Sequence, residues 1–115
     1  MRTISIVIRR PPYGSLNTEE ALRLAVGCTI GDHSVNLIFI GEGVYSILPD
    51  QKSALISQKE IYKDIELLKM TNASFYVYEK DLMKRKIEEV PSFFNKVDLA
   101  EIDRIIAKSD FVWAW

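Results

Sequence analysis

The side chains best suited to covalent chemistry are few in this sequence: one thiol, Cys28, and one imidazole, His33. A thiolate can act as a nucleophile or carry a sulfur atom, and an imidazole can move a proton or bind a metal. One thiol and one imidazole are too few ligands for a typical structural zinc site. Cysteine chemistry therefore depends on Cys28 alone, and we expect no metal and no cofactor.

A second group of candidates consists of aromatic, charged and glycine residues that could form a binding surface: Tyr13, Gly14, Glu42, Tyr45, Tyr78 and Glu79. Tyrosine combines a large rigid contact area with a polar hydroxyl, which is common at recognition surfaces. Three interpretations stay open for the tyrosines: they cover the rim of a core, they contact another protein, or they line a small-ligand pocket.

The elements that would position these residues alternate along the chain. Strands are predicted at Thr3–Ile8, Val35–Ile40, Ser74–Tyr78, Phe93–Val97 and Phe111–Trp115, and short helical segments at Val44–Leu48 and Asp81–Lys86. Three longer helices begin at capping boxes, which pair Asn17 with Glu20, Ser57 with Glu60 and Asp98 with Glu101. Alternating strands and helices predict one α/β domain over residues 1–115, with a flavodoxin-like three-layer architecture and a mainly parallel five-stranded sheet. The predicted strand order is the flavodoxin order, 2-1-3-4-5.

This architecture separates the two groups of candidates. Ligands of open α/β sheets bind at the carboxyl ends of the strands, where the tyrosines and glutamates fall. Cys28 lies about 15 Å down its helix, towards the opposite edge, because each helical residue adds about 1.5 Å. It shares an apolar stripe with Ala21 and Ala25, so we expect a buried, inert thiol. His33 follows in a turn at the same far edge.

Several binding classes can be set aside. The sequence has no GxxxxGK[ST] run, and Gly41-Glu42-Gly43 is followed by Ser46 where a dinucleotide fingerprint needs its third glycine. An alternative that stays open is a small-anion or nucleotide site in the loop Tyr13–Thr18, at a helix N-terminus. Pro11 and Pro12 remove two N–H donors just before it.

Overall composition is that of an ordinary globular chain. Its 115 residues include 15 Lys and Arg against 16 Asp and Glu, which gives no general attraction to nucleic acid or anionic membranes. One cysteine, no signal peptide and no apolar run near the ~20 residues that span a bilayer predict a cytoplasmic location. The charged stretch Glu79–Glu89 is interpreted as a solvated helix face, with an acidic-partner contact through Lys84–Lys86 as the alternative.

The last five residues, FVWAW, are strongly apolar. They predict either a self-association surface or a central strand covered by the chain's own helices.

The sequence resembles the DsrE/DsrF/DsrH superfamily, and most closely its DsrF/TusC branch. The likeness rests on Pro12–Ser15, on the run Phe39–Lys52 with its GVYSILPDQK segment, on Phe75–Lys86 and on Lys108–Trp113. It covers essentially the whole chain. The resemblance implies a flavodoxin-like subunit of trimers or heterohexamers that act in sulfur relay, towards tRNA thiolation or in sulfur oxidation.

The resemblance also implies where sulfur would be carried. In the active subunit of the family a cysteine just after the third strand carries the sulfur, and by position that residue is Tyr78 here. A phenol does not replace a thiolate nucleophile. We therefore expect a non-catalytic DsrF/TusC-like subunit that pairs with a cysteine-bearing DsrE/TusD-like homologue, or with itself, through Tyr13, Glu42, Tyr45 and Tyr78. The alternative is a sulfur carrier that uses Cys28.

Overall fold

The computed structural model describes residues 2–11, 17–47 and 56–115, and only the backbone of residue 17 and of residues 56–62. Along the chain these form β1 (Thr3–Ile8), α1 (Asn17–Ile30), β2 (Ser34–Phe39), a 3₁₀ helix (Gly41–Ile47), α2 (Ile56–Lys69), β3 (Ser74–Tyr78), α3 (Glu79–Lys84), β4 (Phe94–Val97), α4 (Leu99–Ala107) and β5 (Phe111–Ala114). The predicted alternation of strands and helices is confirmed.

The five strands form one sheet in the order β4-β3-β2-β1-β5, and every neighbouring pair is parallel. The predicted fold class, α/β with a parallel five-stranded sheet, is confirmed. The predicted flavodoxin strand order is wrong. Strands β1 to β4 advance one position at a time, and the chain reverses direction only after β4. An amphipathic helix has the same sequence pattern on either face of a sheet, so the pattern did not reveal the point of reversal.

Two apolar clusters show that helices cover both faces. On one face the β1 residues Ile4, Ile6 and Ile8 pack with residues of α1, α2 and α3, among them Leu22, Ile65 and Leu82. On the other face Val7, Ile38 and Val97 pack with Ile102 of α4. We call these the α1 face and the α4 face. The single helix α4 crosses its face from β4 to β5, as a right-handed crossover requires.

Strand β5 lies at an edge of the sheet, next to β1 alone. Its four residues are all exposed, so the interpretation of a central strand covered by the chain's own helices is wrong. At the other edge β4 leads into α4, whose N-cap is Asp98: its Oδ1 accepts a hydrogen bond from Glu101 N at 2.8 Å. Of the three predicted capping boxes this is the one whose side chains the structure describes, and its N-cap hydrogen bond is confirmed.

Candidate interaction site at the carboxyl edge of the sheet

The carboxyl ends of all five strands lie at one edge because the sheet is fully parallel. After β3 the chain turns to the α1 face, where Leu82 of α3 joins the core. After β4 it turns to the α4 face, where Ile102 is buried. The topological switch point therefore lies between β3 and β4, which are paired through Tyr78 and Val97. In open α/β sheets this crevice is the usual binding position.

Tyr78 is the last residue of β3 and the N-cap of α3. Its backbone is extended, with φ −73° and ψ 115°, and its side chain makes no capping hydrogen bond. The side chain is partly buried and packs on the α4-face cluster beside Tyr76. Side chains alternate along a strand, so Phe75 and Val77 point to the opposite face. The Tyr78 phenol therefore lies on the α4 side of the switch point.

Tyr45 belongs to a different group of side chains, on the α1 side. It lies in the 3₁₀ helix, and the Arg85 guanidinium stands 5.9 Å from the centre of its ring. Arg85 Nη1 also donates to Asp81 Oδ1 at 3.1 Å. Asp81 Oδ2 in turn accepts a hydrogen bond from Gly41 N at 2.7 Å. This chain of contacts joins α3 to the segment after β2, and it fixes the position of Tyr45.

Two glycines allow the segment after β2 to approach the end of β1. A Cβ on Gly43 would lie 2.1 Å from Ile8 O and 2.8 Å from Ile8 C, distances that atoms cannot adopt. Gly41 has φ +55°, in the left-handed region where glycine is favoured. Gly43 N donates to Ile40 O, and Ile40 N donates to Ile8 O. The predicted helical segment Val44–Leu48 is in fact a 3₁₀ helix that begins earlier, at Gly41.

The structure places four of the six predicted binding residues at this edge. Glu42 and Glu79 are exposed, and Tyr45 and Tyr78 are partly buried. Tyr45 and Tyr78 do not form one cluster, because they lie on opposite faces of the sheet. Tyr13 and Gly14 lie outside the described residues, as does most of the loop Tyr13–Thr18.

One end of that loop bears on the alternative anion site. The Thr18 hydroxyl is buried and lies 3.2 Å from the carbonyl oxygen of Pro11 and 3.3 Å from that of Arg10. It donates to the chain's own backbone.

Two residues of the site were missed in the sequence. The prediction that Glu79–Glu89 forms a solvated helix face is wrong for Asp81 and Arg85: their side chains are 18% and 19% exposed. Their spacing of four residues, which brings side chains together on a helix, was the available signal. Lys84 and Lys86 are exposed, as both the solvated face and the alternative acidic-partner contact require. The helix itself begins at Glu79, two residues earlier than predicted.

Leu99 is a further feature that the sequence did not reveal. It is the first residue of α4, directly after the carboxyl end of β4, and its apolar side chain is exposed. Met83 on α3 is exposed as well. The edge that carries Glu42 and Glu79 thus also carries apolar surface next to the switch point.

Cys28 and His33 lie at the opposite, amino edge, as predicted. Cys28 is in the last turn of α1, and its carbonyl oxygen accepts a hydrogen bond from His33 N at 3.0 Å. The thiol packs against the α1-face core, but it is partly exposed and not fully buried. The helix reaches the end of the sheet here, so the core no longer surrounds it. Burial raises the pKa of the Cys28 thiol above its ordinary value of 9.0, which disfavours the reactive thiolate.

The described residues contain neither a candidate metal site nor a candidate membrane-spanning helix. Residues 2–11, 17–47 and 56–115 contain no group of three metal-ligating side chains. Within the same part of the chain, every helix is too short or too polar to cross a bilayer.

Sheet, helices and edge together define a three-layer α/β protein with aromatic and charged side chains at the carboxyl ends of its strands. The model of the DsrE/DsrF-like family matches residues 2–112, and the chain therefore belongs to the DsrE/DsrF-like family. The resemblance seen in the sequence is thereby confirmed.

Individual relatives agree with that assignment. The chain is 26% identical to a TusC homologue from Pseudomonas aeruginosa, over 76% of this chain and 75% of that protein. It is also 26% identical to TusC from Buchnera aphidicola, over 92% of this chain and 98% of the relative. The crystal structure of the YchN protein from E. coli superposes with a TM-score of 0.87 at 24% identity, covering 100% of both chains. That likeness establishes the fold.

Proposed function

We propose that this chain is a non-catalytic, TusC-like subunit of a cytoplasmic sulfur-relay complex, and that it works as one domain over its whole length. The observation that carries the proposal is the position of its thiol. Cys28 lies at the amino edge of the sheet with a raised pKa. The last residue of β3, where the resemblance places the sulfur-carrying cysteine of the active subunit, is Tyr78.

The distance between these positions is decisive for the chemistry. Three residues separate the end of α1 from β2, which runs for six residues to the carboxyl edge. At about 3.3 Å per residue, the two edges are separated by about 20 Å. A persulfide on Cys28 could not reach an acceptor docked at the carboxyl ends of the strands. The subunit would therefore contribute surface to the relay, and a cysteine-bearing homologue would contribute the thiolate.

The proposed partner surface is the carboxyl edge around the switch point. Glu42, Glu79 and Leu99 supply exposed charge and apolar area, and the partly buried rings of Tyr45 and Tyr78 border it. The contacts of Asp81 with Arg85 and with Gly41 N hold this surface in place before a partner arrives. A surface fixed in advance loses less entropy on binding. The partner is a cysteine-bearing DsrE/TusD-like chain.

Co-expression with such a homologue, followed by native mass spectrometry, tests the proposal. The parent chain should be recovered in a heteromeric complex. Leu99→Asp places a charge on the proposed surface and should reduce the recovered complex at least tenfold. Because an acidic residue is favourable in the first turn of a helix, the fold of this variant should stay intact.

Met70→Asp is the matched control. Met70 is also an exposed apolar residue, but it follows α2 at the amino edge. The control should leave complex formation unchanged. A parent chain that captures no homologue, or equal losses in both variants, would contradict the proposed surface.

A further inference from the structure

The two edges of the sheet differ in how they are protected. Strand β4 exposes Asn95 and Lys96 in its middle, and an edge lysine is a common device against strand addition. Strand β5 reads Phe-Val-Trp-Ala without charge or proline. Exposed fractions are 48% for Phe111, 41% for Val112 and 40% for Trp113. An apolar, unprotected edge of this kind is a template for another strand.

The backbone of β5 shows which groups face the open edge. Trp115 N donates to Val7 O at 2.8 Å, and Arg9 N donates to Trp115 O at 2.7 Å. Residue 115 therefore directs both its backbone groups towards β1. Successive residues of a strand alternate in this respect, so Val112 and Ala114 direct theirs away from β1. In the described sheet no strand lies on that side.

Strand β5 of one copy is complementary to β5 of a second copy when the two strands run antiparallel. In an antiparallel pair centred on Val112, the two copies of Val112 exchange both backbone hydrogen bonds, and Phe111 of one copy lies opposite Trp113 of the other. Phe111 and Trp113 are already stacked on each other, with ring centres 6.2 Å apart. They lie on the α1 face, each beside its partner in the neighbouring strand β1, Ile4 for Phe111 and Ile6 for Trp113. A dyad would join the two stacks into one aromatic cluster, and cross-strand aromatic pairs stabilise sheets.

Opposite charges at the two ends of the edge strands, Asp110 and Arg9, favour an antiparallel over a parallel arrangement of the two copies. Asp110 precedes β5, where its Oδ2 accepts a hydrogen bond from Thr3 N at 2.7 Å. Arg9 follows β1 at the other end of the strands, and both side chains are exposed. Reversing the second copy places Asp110 of one chain at the same end of the paired strands as Arg9 of the other.

The surface area that two copies of β5 can bury limits how tightly they bind each other. Taking roughly 200 Å² per aromatic side chain, the exposed parts of Phe111 and Trp113 offer about 180 Å² on each copy. Two copies with Val112 and the backbone remain well below the ~1,200 Å² typical of stable complexes. We propose that β5 pairs antiparallel with β5 of a second copy of this chain, forming a weak dimer with a continuous ten-stranded sheet.

This inference does not rest on the proposed sulfur-relay role, because it concerns a different edge of the sheet. Sedimentation velocity of the purified chain over an about hundredfold concentration range tests it. The parent should shift from monomer to dimer as concentration rises. Val112→Lys puts a charge at the dyad and should remove the dimer. Met70→Lys makes the same charge change away from β5 and should not.

Hydrogen exchange gives an independent readout that does not need a variant. The amides of Val112 and Ala114 should become at least tenfold more protected at the highest concentration, while the amides of β4 stay unchanged. Three results would overturn the proposal. The first is a parent that is monomeric throughout, and the second is a dimer that survives in folded Val112→Lys. The third is protection of the two amides only in a complex with a different chain.

Discussion

Replacing Gly43 with alanine tests how the candidate site is built. The new Cβ would lie 2.1 Å from Ile8 O, whereas ordinary contacts of this kind begin near 3.4 Å. Both overlapping groups belong to the backbone, so relief requires the 3₁₀ helix to move away from β1 by about 1 Å. Overpacking of a close contact costs about 1–3 kcal/mol, and occasionally more. Since no side chain can rotate away here, we expect a loss of about 3 kcal/mol.

Gly27→Ala is the matched control, with the opposite expected sign. Gly27 lies inside α1, and a Cβ there would meet no atom within 4 Å. Alanine in a helix interior is more stable than glycine by about 0.5–1 kcal/mol. Urea unfolding of the two variants and the parent measures both effects on the free energy of unfolding. In thermal unfolding, at about 4 °C per kcal/mol, the Tm of Gly43→Ala should be about 12 °C lower than that of the parent. If Gly43→Ala lies within about 0.5 kcal/mol of the parent, the close approach to β1 is wrong.

Three further predictions follow from the site and from the thiol. Asp81→Asn keeps the shape of the side chain but removes the charge that faces Arg85 and Gly41 N. Urea unfolding should show a loss of about 1–2 kcal/mol in the free energy of unfolding, whereas Asp103→Asn on the exposed side of α4 should change it by less than about 0.5 kcal/mol. Equal effects would contradict the contacts described. Lys86 has φ +56° after α3, where Lys86 N donates to Met83 O and Ile87 N donates to Leu82 O. Lys86→Gly should relieve the backbone strain and raise the free energy of unfolding by about 1 kcal/mol. A loss of stability would refute this. Because burial raises the pKa of Cys28 above 9.0, its contribution to stability is present below that pH and is lost as pH rises through the raised pKa; iodoacetamide should label the native chain more slowly than the urea-unfolded chain near neutral pH, and equal rates would show an open thiol.

The sequence predicted the elements and the edge that positions the site, because each rests on local patterns. Short β-branched runs such as Thr3–Ile8 and the capping box at Asp98 need no knowledge of the rest of the chain. Once the strands are parallel, the residues after them must share an edge. That is why Glu42 and Tyr78 were placed correctly by position alone.

Contacts between elements were not predictable in the same way. Whether Asp81 points to solvent or to Gly41 N depends on how α3 lies against the 3₁₀ helix, and the sequence of α3 contains no sign of it. Tyr45 lies where the 3₁₀ helix packs near Arg85, and Tyr78 packs on the face that α4 covers. The partial exposure of Cys28 depends on how far α1 extends beyond the core. These are properties of packing between distant segments.

Intact-mass analysis of sulfur loading tests the central claim most directly. The chain and a cysteine-bearing homologue, purified as a complex, would be exposed to a persulfide donor and sampled over time. The account predicts that the added sulfur appears on the homologue and that Cys28→Ser in this chain leaves its rate unchanged. Sulfur that accumulates on Cys28 of this chain as fast as on the homologue would contradict the account.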